Sequence, residues 1–231
     1  MKQVEIDGLF NARAAGDPAW LVRSGAPEAV TEAGAAQLRE LGASVVIDLR
    51  ESDEIGATAH GLPVRRIGLY GRPAPTVGRL ESVYEALLRE RAAALASAVG
   101  AIADADGAAL VHCTAGKDRT GLVVALALAA AGAAQGEIEA DYALSGDSVR
   151  PVREAIARRF ADEADPADRA EILRLHLDSP VAAITHALDV IDELGGAVRY
   201  LLDAGLSPAQ LDALRAKAGA ATGRVLVEAA S

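Results

Sequence analysis

Cysteine is almost absent from this 231-residue chain, which contains only Cys113. A single cysteine excludes an intramolecular disulfide and a paired-cysteine redox site. The apolar run Leu122–Ala131 is too short to span a bilayer, and residues 1–7 contain no long apolar core of a secretory leader. These absences predict no stable membrane insertion and a cytoplasmic location, and they leave open export by a route without a leader.

Basic and aromatic residues are also scarce. Lys and Arg number 23 against 33 Asp and Glu, which gives a net charge of −10, and aromatic residues are 3% of the chain. A strongly acidic chain disfavours nucleic acid as a partner, because the phosphate backbone requires a basic face. With 51% hydrophobic residues, the chain is long and apolar enough for one sizeable core. Any affinity for phosphate must therefore be local.

Residues 108–131 combine an apolar run, a short polar loop and a long apolar run. Leu110 and Val111 end the first run, and Leu122–Ala131 is the second. The pattern predicts a buried strand, a turn and a buried helix. The loop then lies at the N-terminus of a helix, where free backbone N–H groups and the helix dipole attract an anion.

Four residues give this loop a defined chemistry. The field that binds an oxyanion also favours the thiolate form of Cys113, and Arg119 offers a planar fork to a tetrahedral anion. Gly116 permits a tight turn, and Thr120 is predicted to cap the helix or to donate to the thiolate. A thiolate beneath a cradled phosphate is arranged for in-line attack on phosphorus, after which water hydrolyses a phosphocysteine intermediate. This chemistry requires no metal and no other cofactor.

Other interpretations of the loop explain less. A lone cysteine is usually an inert buried residue, but Cys113 has a glycine, an arginine and a threonine around it. A nucleotide-binding phosphate loop requires Ser or Thr after the lysine and a glycine five positions before Gly116, whereas Asp118 follows Lys117 and that glycine is missing. A thioredoxin-type site requires a second cysteine.

Residues 112–121, HCTAGKDRTG, resemble the signature of the cysteine-based protein tyrosine phosphatases, and the GKDRT segment is similar to that of bacterial tyrosine/lipid phosphatases. The resemblance implies a three-layer α/β fold, with a mostly parallel central sheet flanked by helices and a C-terminal helical segment at 180–218. It implies one phosphatase domain over 1–231 with Cys113 and Arg119 as catalytic residues. The residues expected to bind the substrate phosphate are Thr114, Ala115, Gly116, Lys117, Asp118, Arg119 and Thr120.

Two further segments are similar to elements of the same family. Residues 11–17, NARAAGD, match the Asn-Phe-Arg-Asp-x-Gly-Gly element at Asn11, Arg13 and Gly16, although an ordinary surface turn explains them as well. Residues 140–145, ADYALS, match the Ala-Asp-Tyr-x-x-Ser stretch that the family often carries.

Two other segments give structural expectations. The apolar strand predicted over 45–50 carries Asp48 and Arg50, which are expected to form an ion pair behind the phosphate loop because charged residues in a core are usually paired. Residues 76–103 are expected to form one long helix or two, with weak points at Ser82 and Gly100.

The general acid is the least determined part of the site. The family resemblance suggests an aspartate on a loop before the cysteine, yet no aspartate occurs at positions 55–103. Asp118 is therefore the leading candidate for the catalytic acid. The alternative role for Asp118, which is equally expected, is only to orient Arg119 and Lys117. His60 and Glu81 are the alternatives for the acid.

Lys117 and the charged segment 149–177 are the remaining candidates for substrate contacts. Lys117 is expected to add a second cation, which favours a multiply charged ligand such as a phosphoinositide or strengthens the binding of any phosphoester. Residues 149–177, broken at Pro166, are expected to form a helical lid over the site.

The sequence thus predicts a phosphomonoester hydrolase that is inhibited by phosphate analogues. The expected activity is that of a protein tyrosine phosphatase, with possible dual specificity or phosphoinositide phosphatase activity. Phosphorylated proteins or phosphoinositides are its expected partners. A catalytically weak phosphate- or phosphoprotein-binding module is the alternative, because the upstream aspartate is missing. Residues 119–121 disfavour sulfur-transfer or arsenate chemistry on a similar loop.

Overall fold

The computed structural model describes residues 1–57 and 60–228, with side chains as far as residue 219. The strands are β1 (Lys2–Gln3), β2 (Arg13–Gly16), β3 (Ala19–Ser24), β4 (Ala43–Asp48), β5 (Val64–Arg66) and β6 (Ala108–His112). They form one sheet in the order β1–β2–β3–β6–β4–β5.

The central part of the sheet is parallel. Strand β6 pairs in parallel with β3 and β4, and β4 pairs in parallel with β5, whereas β1 and β2 add an antiparallel edge beside β3. Every residue of β6 is buried, as expected for a strand covered on both faces. The carboxyl ends of β3, β4 and β6 therefore meet at one edge of the sheet, and Cys113 follows β6 at that edge.

Helices cover both faces of the sheet, which confirms the predicted three-layer α/β fold. The helices are α1 (Glu32–Glu40), α2 (Leu80–Glu90), α3 (Ala92–Ala103), α4 (Asp118–Ala130), α5 (Gln135–Ala143), α6 (Ser145–Glu163), α7 (Arg169–Leu177), α8 (Val181–Glu193), α9 (Gly196–Asp203) and α10 (Pro208–Glu228). Leu38 of α1 packs with Val46 and Leu110 on one face, and the larger core on the other face includes residues of α2–α5 and α7–α10.

The helical segment expected over 76–103 is two helices that separate at Arg91, rather than at Ser82 or Gly100. Arg91 has non-helical φ and ψ of −122° and 23°, and its Nε donates to the carbonyl of Leu69. Gly100 lies within α3, and its lack of a side chain leaves room for Gln210 of α10, whose side chain would lie 2.9 Å from an added Cβ.

The segment that was expected to be a broken helix over 149–177 forms a hairpin of two helices, α6 and α7, which pack against each other. Helix α6 begins earlier than expected, at Ser145, and the break lies around Pro166. Within residues 1–57 and 60–228, no helix has the length and apolar character needed to cross a membrane.

Candidate active site

The loop between β6 and α4 follows the predicted strand–turn–helix pattern. Cys113 comes directly after β6, and α4 begins at Asp118, so that Arg119 is the second helical residue. Gly116 has a φ of +67°, and a Cβ there would lie 2.1 Å from the carbonyl oxygen of Ser24. Only glycine fits this position, because it combines a left-handed backbone with close contact to the neighbouring strand.

The back of the loop is held by side chains from the N-terminal segment. Asn11 Nδ2 donates to the carbonyl oxygens of Ala115 and Gly116 at 3.1 and 3.0 Å, and Arg23 donates to the Gly116 carbonyl at 2.7 Å. Asn11 itself has a φ of +56°, a conformation that asparagine tolerates better than most residues. These bonds occupy carbonyl oxygens behind the loop, which leaves its N–H groups to an anion.

A buried ion cluster supports these two side chains. Arg13 Nε donates to Asp141 at 2.7 Å, and Arg23 donates to the other oxygen of Asp141 at 2.5 Å. Both arginines also donate to the hydroxyl of Ser145. All three charged side chains are at most 2% exposed. The two family-like segments, 11–17 and 140–145, thus meet behind the phosphate loop.

A cavity of about 90 Å³ lies in front of the loop. It is lined by Glu54, Tyr70, Ala74, Pro75, Cys113, Thr114, Ala115, Asp118, Arg119, Arg153, Leu175 and His176. The structure therefore places Cys113 and Arg119 against one cavity. Of the six other residues expected to bind the phosphate, Thr114, Ala115 and Asp118 line this cavity, whereas Gly116, Lys117 and Thr120 do not.

Arg119 is held by a carboxylate that the sequence did not point to. Its two terminal nitrogens donate to the two oxygens of Glu54 at 2.5 and 2.6 Å, a bidentate pair, and the guanidinium lies 4.9 Å from the ring centre of Tyr70. The hydroxyl of Thr114 donates to the same carboxylate at 2.7 Å. This pairing fixes the orientation of the guanidinium beside Cys113.

Glu54 stays ionised because of these contacts. Burial alone would raise the pKa of Glu54, but the hydrogen bonds and charge of Arg119, with the bond from Thr114, lower it to about 2. Burial likewise lowers the pKa of Arg119, and the bonds to Glu54 outweigh that effect and raise it. The pair is therefore fully charged near neutral pH.

The predicted ion pair between Asp48, at the end of β4, and Arg50, just after it, is confirmed, and it supports Glu54. Arg50 donates to both oxygens of Asp48 at 2.9 Å, and it also bonds Glu28 and the backbone carbonyl of Glu54. The short 3-10 helix Ser52–Glu54 is thereby attached to the end of the strand beside the phosphate loop.

The Glu54–Arg119 pair predicts an acid-dependent loss of stability. Folding lowers the pKa of Glu54 from 4.5 to about 2, so the pair stabilises the fold above pH 4.5, and this contribution is lost as the pH falls towards 2. We expect about 1–3 kcal/mol from this pair, less than the full shift because solvent partly screens the carboxylate.

Urea unfolding at a series of pH values between 5 and 2 measures this contribution. The Glu54→Gln variant is expected to lose less free energy of unfolding over that range than the wild type, because glutamine cannot titrate. Equal slopes for the two proteins would show that the pair contributes no stability.

Asp118 lies at the cavity with one oxygen engaged. Tyr84 donates to Asp118 Oδ1 at 2.6 Å, and the Lys117 ammonium lies 3.2 Å from the same oxygen. Tyr84 also shares a hydrogen bond with Tyr142. Within the described ranges Asp118 Oδ2 has no hydrogen-bond partner, which leaves this oxygen for a group in the cavity.

The two alternative acids are placed differently. Glu81 pairs with Arg174, and this hydrogen-bonded pair lowers the pKa of Glu81 to about 2, so it carries no proton near neutral pH. His60 is buried away from the cavity, and its Nδ1 accepts from the backbone N–H of Leu62. Burial and the nearby Arg39 lower the pKa of His60.

Lys117 does not line the cavity, although it was expected to face the anion. Its ammonium is buried and donates to the carbonyl oxygens of Leu175 and Asp178 at 2.8 and 2.6 Å, at the C-terminal end of α7. A cation at a helix C-terminus satisfies free carbonyl groups and opposes the helix dipole. Lys117 thus attaches the α6–α7 hairpin to the phosphate loop.

Thr120 is buried under the loop, and its hydroxyl has no hydrogen-bond partner among the described residues. Thr120 does not cap α4. The N-cap residue of this helix is Lys117, and no side chain forms a capping hydrogen bond there. A buried hydroxyl without a partner is uncommon and points to a group that engages it during function.

Sequence reasoning missed Glu54, Arg153 and the contact of Asn11 with the loop. A signal existed for Glu54, because it follows β4 at the sheet edge where Cys113 follows β6, and polar residues at that edge meet in parallel sheets. Arg153 lies in a charged helix without any local motif, so only the packing of the hairpin places it at the cavity.

Comparisons with known proteins agree with this geometry. The model of the tyrosine phosphatase family matches residues 5–218. The triple specificity protein phosphatase PtpB of Mycobacterium tuberculosis is 30% identical over 268 aligned positions, which cover 91% of this chain and 97% of that protein. A tyrosine-protein phosphatase of Nostoc commune is 35% identical over 127 positions, 52% of this chain and 42% of that protein.

Among solved structures, the catalytic core of Siw14 is similar over 74% of this chain and 94% of that chain, with a TM-score of 0.45 and 16% identity. The family match extends well beyond the phosphate loop and includes strands β2–β6 and most of the helices. This chain therefore belongs to the tyrosine phosphatase family.

Proposed function

We propose that the chain is a cysteine-dependent phosphomonoester hydrolase that removes phosphate from phosphotyrosine in proteins, with phosphoserine, phosphothreonine and phosphoinositides as further substrates. The observation that carries this proposal is the joint placement of Cys113 and Arg119 at one cavity in front of a glycine-turned loop. The printed name of the mycobacterial relative, a triple specificity phosphatase, supports the breadth of substrates.

The first step of the proposed reaction is attack by the Cys113 thiolate on phosphorus. A sulfur–phosphorus bond forms as the bond from phosphorus to the leaving oxygen breaks, and the electron pair of that bond goes to the oxygen. Loop N–H groups and Arg119 stabilise the charge on the transferring phosphoryl group. Glu54 keeps the Arg119 fork in one orientation throughout, and the unpaired hydroxyl of Thr120 supports the proposal that it donates to the thiolate.

Asp118 is proposed to move the protons in both steps. It gives its proton to the leaving oxygen in the first step, and in the second it accepts a proton from the water that attacks phosphorus and releases Cys113. Its position at the cavity and its unpaired Oδ2 support this role, and the hydrogen bond from Tyr84 holds the carboxyl group in place.

The Asp118→Asn variant tests the proton transfer. We expect kcat for phenyl phosphate, whose leaving group requires a proton, to fall by about 100-fold or more. Hydrolysis of p-nitrophenyl phosphate is expected to fall less, because its leaving group is stable as an anion. The pH profile of kcat should lose the limb that reports the acid.

Asp106→Asn is the matched control, because this exposed aspartate precedes β6 at the opposite end of the strand. It is expected to leave both rates unchanged. If Asp118→Asn lowers kcat equally for the two substrates and leaves the pH profile unchanged, Asp118 orients Arg119 instead of transferring protons.

A p-nitrophenyl phosphate assay separates the enzyme from a weak phosphate-binding module. The proposed enzyme turns the substrate over, is inhibited by vanadate, and keeps its rate in the presence of a chelator. A binding module would show affinity for phosphate without turnover. The proposed cytoplasmic location rests on the single cysteine of the sequence.

A further inference from the structure

The helical hairpin brings a second arginine to the cavity. Arg153 lies on α6 and lines the cavity together with Cys113, Glu54 and Asp118. Its side chain is partly buried, and it makes no hydrogen bond or ion pair with any residue in 1–57 or 60–219. The other arginine of the cavity, Arg119, is paired with Glu54.

The neighbouring cations are all engaged in structural contacts. Lys117 donates to carbonyl groups at the end of α7, Arg174 bonds Glu81, and Arg150 pairs with Asp178. The cation that was expected from Lys117 is therefore absent from the cavity lining, and Arg153 of α6 supplies a positive charge there. Its neighbours on α6 include Arg158, which points to solvent and pairs with Glu154.

Burial without a hydrogen-bond partner destabilises the charged form of Arg153. Burial lowers the pKa of Arg153, and the charges of Cys113, Glu54 and Asp118 only partly oppose this effect. A partly buried guanidinium with no partner is unusual, because arginine in protein interiors is normally paired or hydrogen-bonded. The arrangement is explained if a ligand anion in the cavity completes the hydrogen bonding of Arg153.

We propose that Arg153 is a specificity-determining residue that binds a second phosphate group on the substrate, next to the phosphate held by Arg119 and the loop. The inference rests on the proposed function for the site itself. It names a substrate with two phosphates on neighbouring atoms of one small ring, such as a bisphosphorylated inositol head group.

The closeness of Arg119 and Arg153 favours this substrate over an acidic phosphopeptide. Arg119 and Arg153 line one cavity of about 90 Å³, so the two anionic groups must lie close together. Vicinal phosphates on an inositol ring are separated by few bonds. In a phosphotyrosine peptide the neighbouring acidic side chains lie beyond the aromatic ring, on the far side from the phosphate.

The test measures how strongly three compounds inhibit the hydrolysis of p-nitrophenyl phosphate. They are an inositol bisphosphate with adjacent phosphates, inositol monophosphate, and an acidic peptide with an aspartate beside phosphotyrosine. The proteins are the wild type, Arg153→Gln, Arg153→Lys and Arg158→Gln. The last variant is the matched control, because it removes one positive charge from the solvent side of the same helix.

The inhibition constant for the bisphosphate is expected to rise by about 10-fold or more in Arg153→Gln, the loss of one or two charge-assisted hydrogen bonds. Inhibition by the monophosphate is expected to weaken by a clearly smaller factor than inhibition by the bisphosphate, because only the bisphosphate carries the second phosphate group. Arg153→Lys should recover part of the affinity, and Arg158→Gln should behave as the wild type.

Three outcomes overturn the inference. If Arg153→Gln weakens inhibition by the bisphosphate and the monophosphate equally, Arg153 contacts the reacting phosphate. If it weakens only inhibition by the acidic peptide, Arg153 serves peptide recognition. If all the inhibition constants are unchanged, Arg153 makes no contact with the substrate. Loss of the proposed function is a separate result, since it appears as absence of p-nitrophenyl phosphate turnover in the wild type. Calorimetric titration of the same ligands would then measure the effect of Arg153 directly.

Discussion

Replacing Cys113 by serine is expected to abolish turnover while oxyanion binding survives. Serine has nearly the shape of cysteine, but its hydroxyl is not ionised near neutral pH and is a poor nucleophile for phosphorus. We expect kcat for p-nitrophenyl phosphate to fall by at least about 10⁴-fold. The binding of tungstate, a tetrahedral oxyanion, should change by less than about 3-fold because the loop and Arg119 are unaltered.

The contrasting variant is Arg119→Lys, which keeps the charge and removes the planar fork. It loses the bidentate pair with Glu54 as well as the second contact to the anion. Turnover and tungstate binding are therefore expected to weaken together, as measured by steady-state kinetics and calorimetric titration. If the Cys113→Ser variant keeps more than a hundredth of the wild-type rate, the thiolate mechanism is contradicted.

Replacing Asp141 by alanine is expected to give the largest loss of stability. The variant leaves the guanidinium groups of Arg13 and Arg23 buried without their carboxylate, at 2% and 1% exposure. Removing one partner of a buried ion pair costs about 3–5 kcal/mol, because a charge remains uncompensated in the interior. Urea unfolding monitored by circular dichroism measures this change.

The matched control for this prediction is Asp189→Ala. Asp189 is an exposed residue of α8 with no ion pair in the described chain, and its replacement is expected to change stability by less than about 0.5 kcal/mol. A loss below about 1 kcal/mol in Asp141→Ala would mean that water reaches the cluster and compensates the arginines.

Asp141 also makes the stability of the wild type depend on pH. Burial raises the pKa of Asp141, but the charges of Arg23 and Arg13 outweigh burial and lower it. A lowered pKa in the folded state means that the stabilisation is present above the pKa of the unfolded chain and is lost as the pH falls below it. The acid dependence should therefore be weaker in Asp141→Ala than in the wild type.

The phosphate loop could be predicted because its information is local. The apolar strand, the glycine with a positive φ and the helix start are contiguous in residues 108–121, and their backbone preferences follow from neighbouring residues. The same holds for the last helix, where Pro208 takes the first position and Ser207 accepts from the backbone N–H of Gln210.

The partners of the loop could be predicted only in part. Asp48 is the last residue of β4 and Arg50 lies two positions later, and their pairing was correctly expected. The similarity of the segments 11–17 and 140–145 to one family marked both as elements of that family. Nothing in either segment shows that Arg13 bonds Asp141, 128 positions away.

The direction of Lys117 shows the limit of a motif. The residue stands in a phosphate loop, and its position in the sequence suggests a contact with the ligand. The structure instead buries its ammonium against the end of α7, because a hairpin more than 50 positions later supplies unsatisfied carbonyl groups beside it. Competing acceptors from distant chain segments are invisible in the local sequence.

The amino-acid sequence alone was enough to propose Cys113 as the nucleophile and Arg119 as its partner, and to predict the strand–loop–helix unit that carries both. The tertiary structure alone decided that Glu54 holds Arg119, that Lys117 anchors the hairpin and that Arg153 reaches the cavity. The physical reason is the range of the interactions. Backbone preferences act between neighbours along the chain, whereas buried charges find their partners wherever the fold brings oppositely charged groups together.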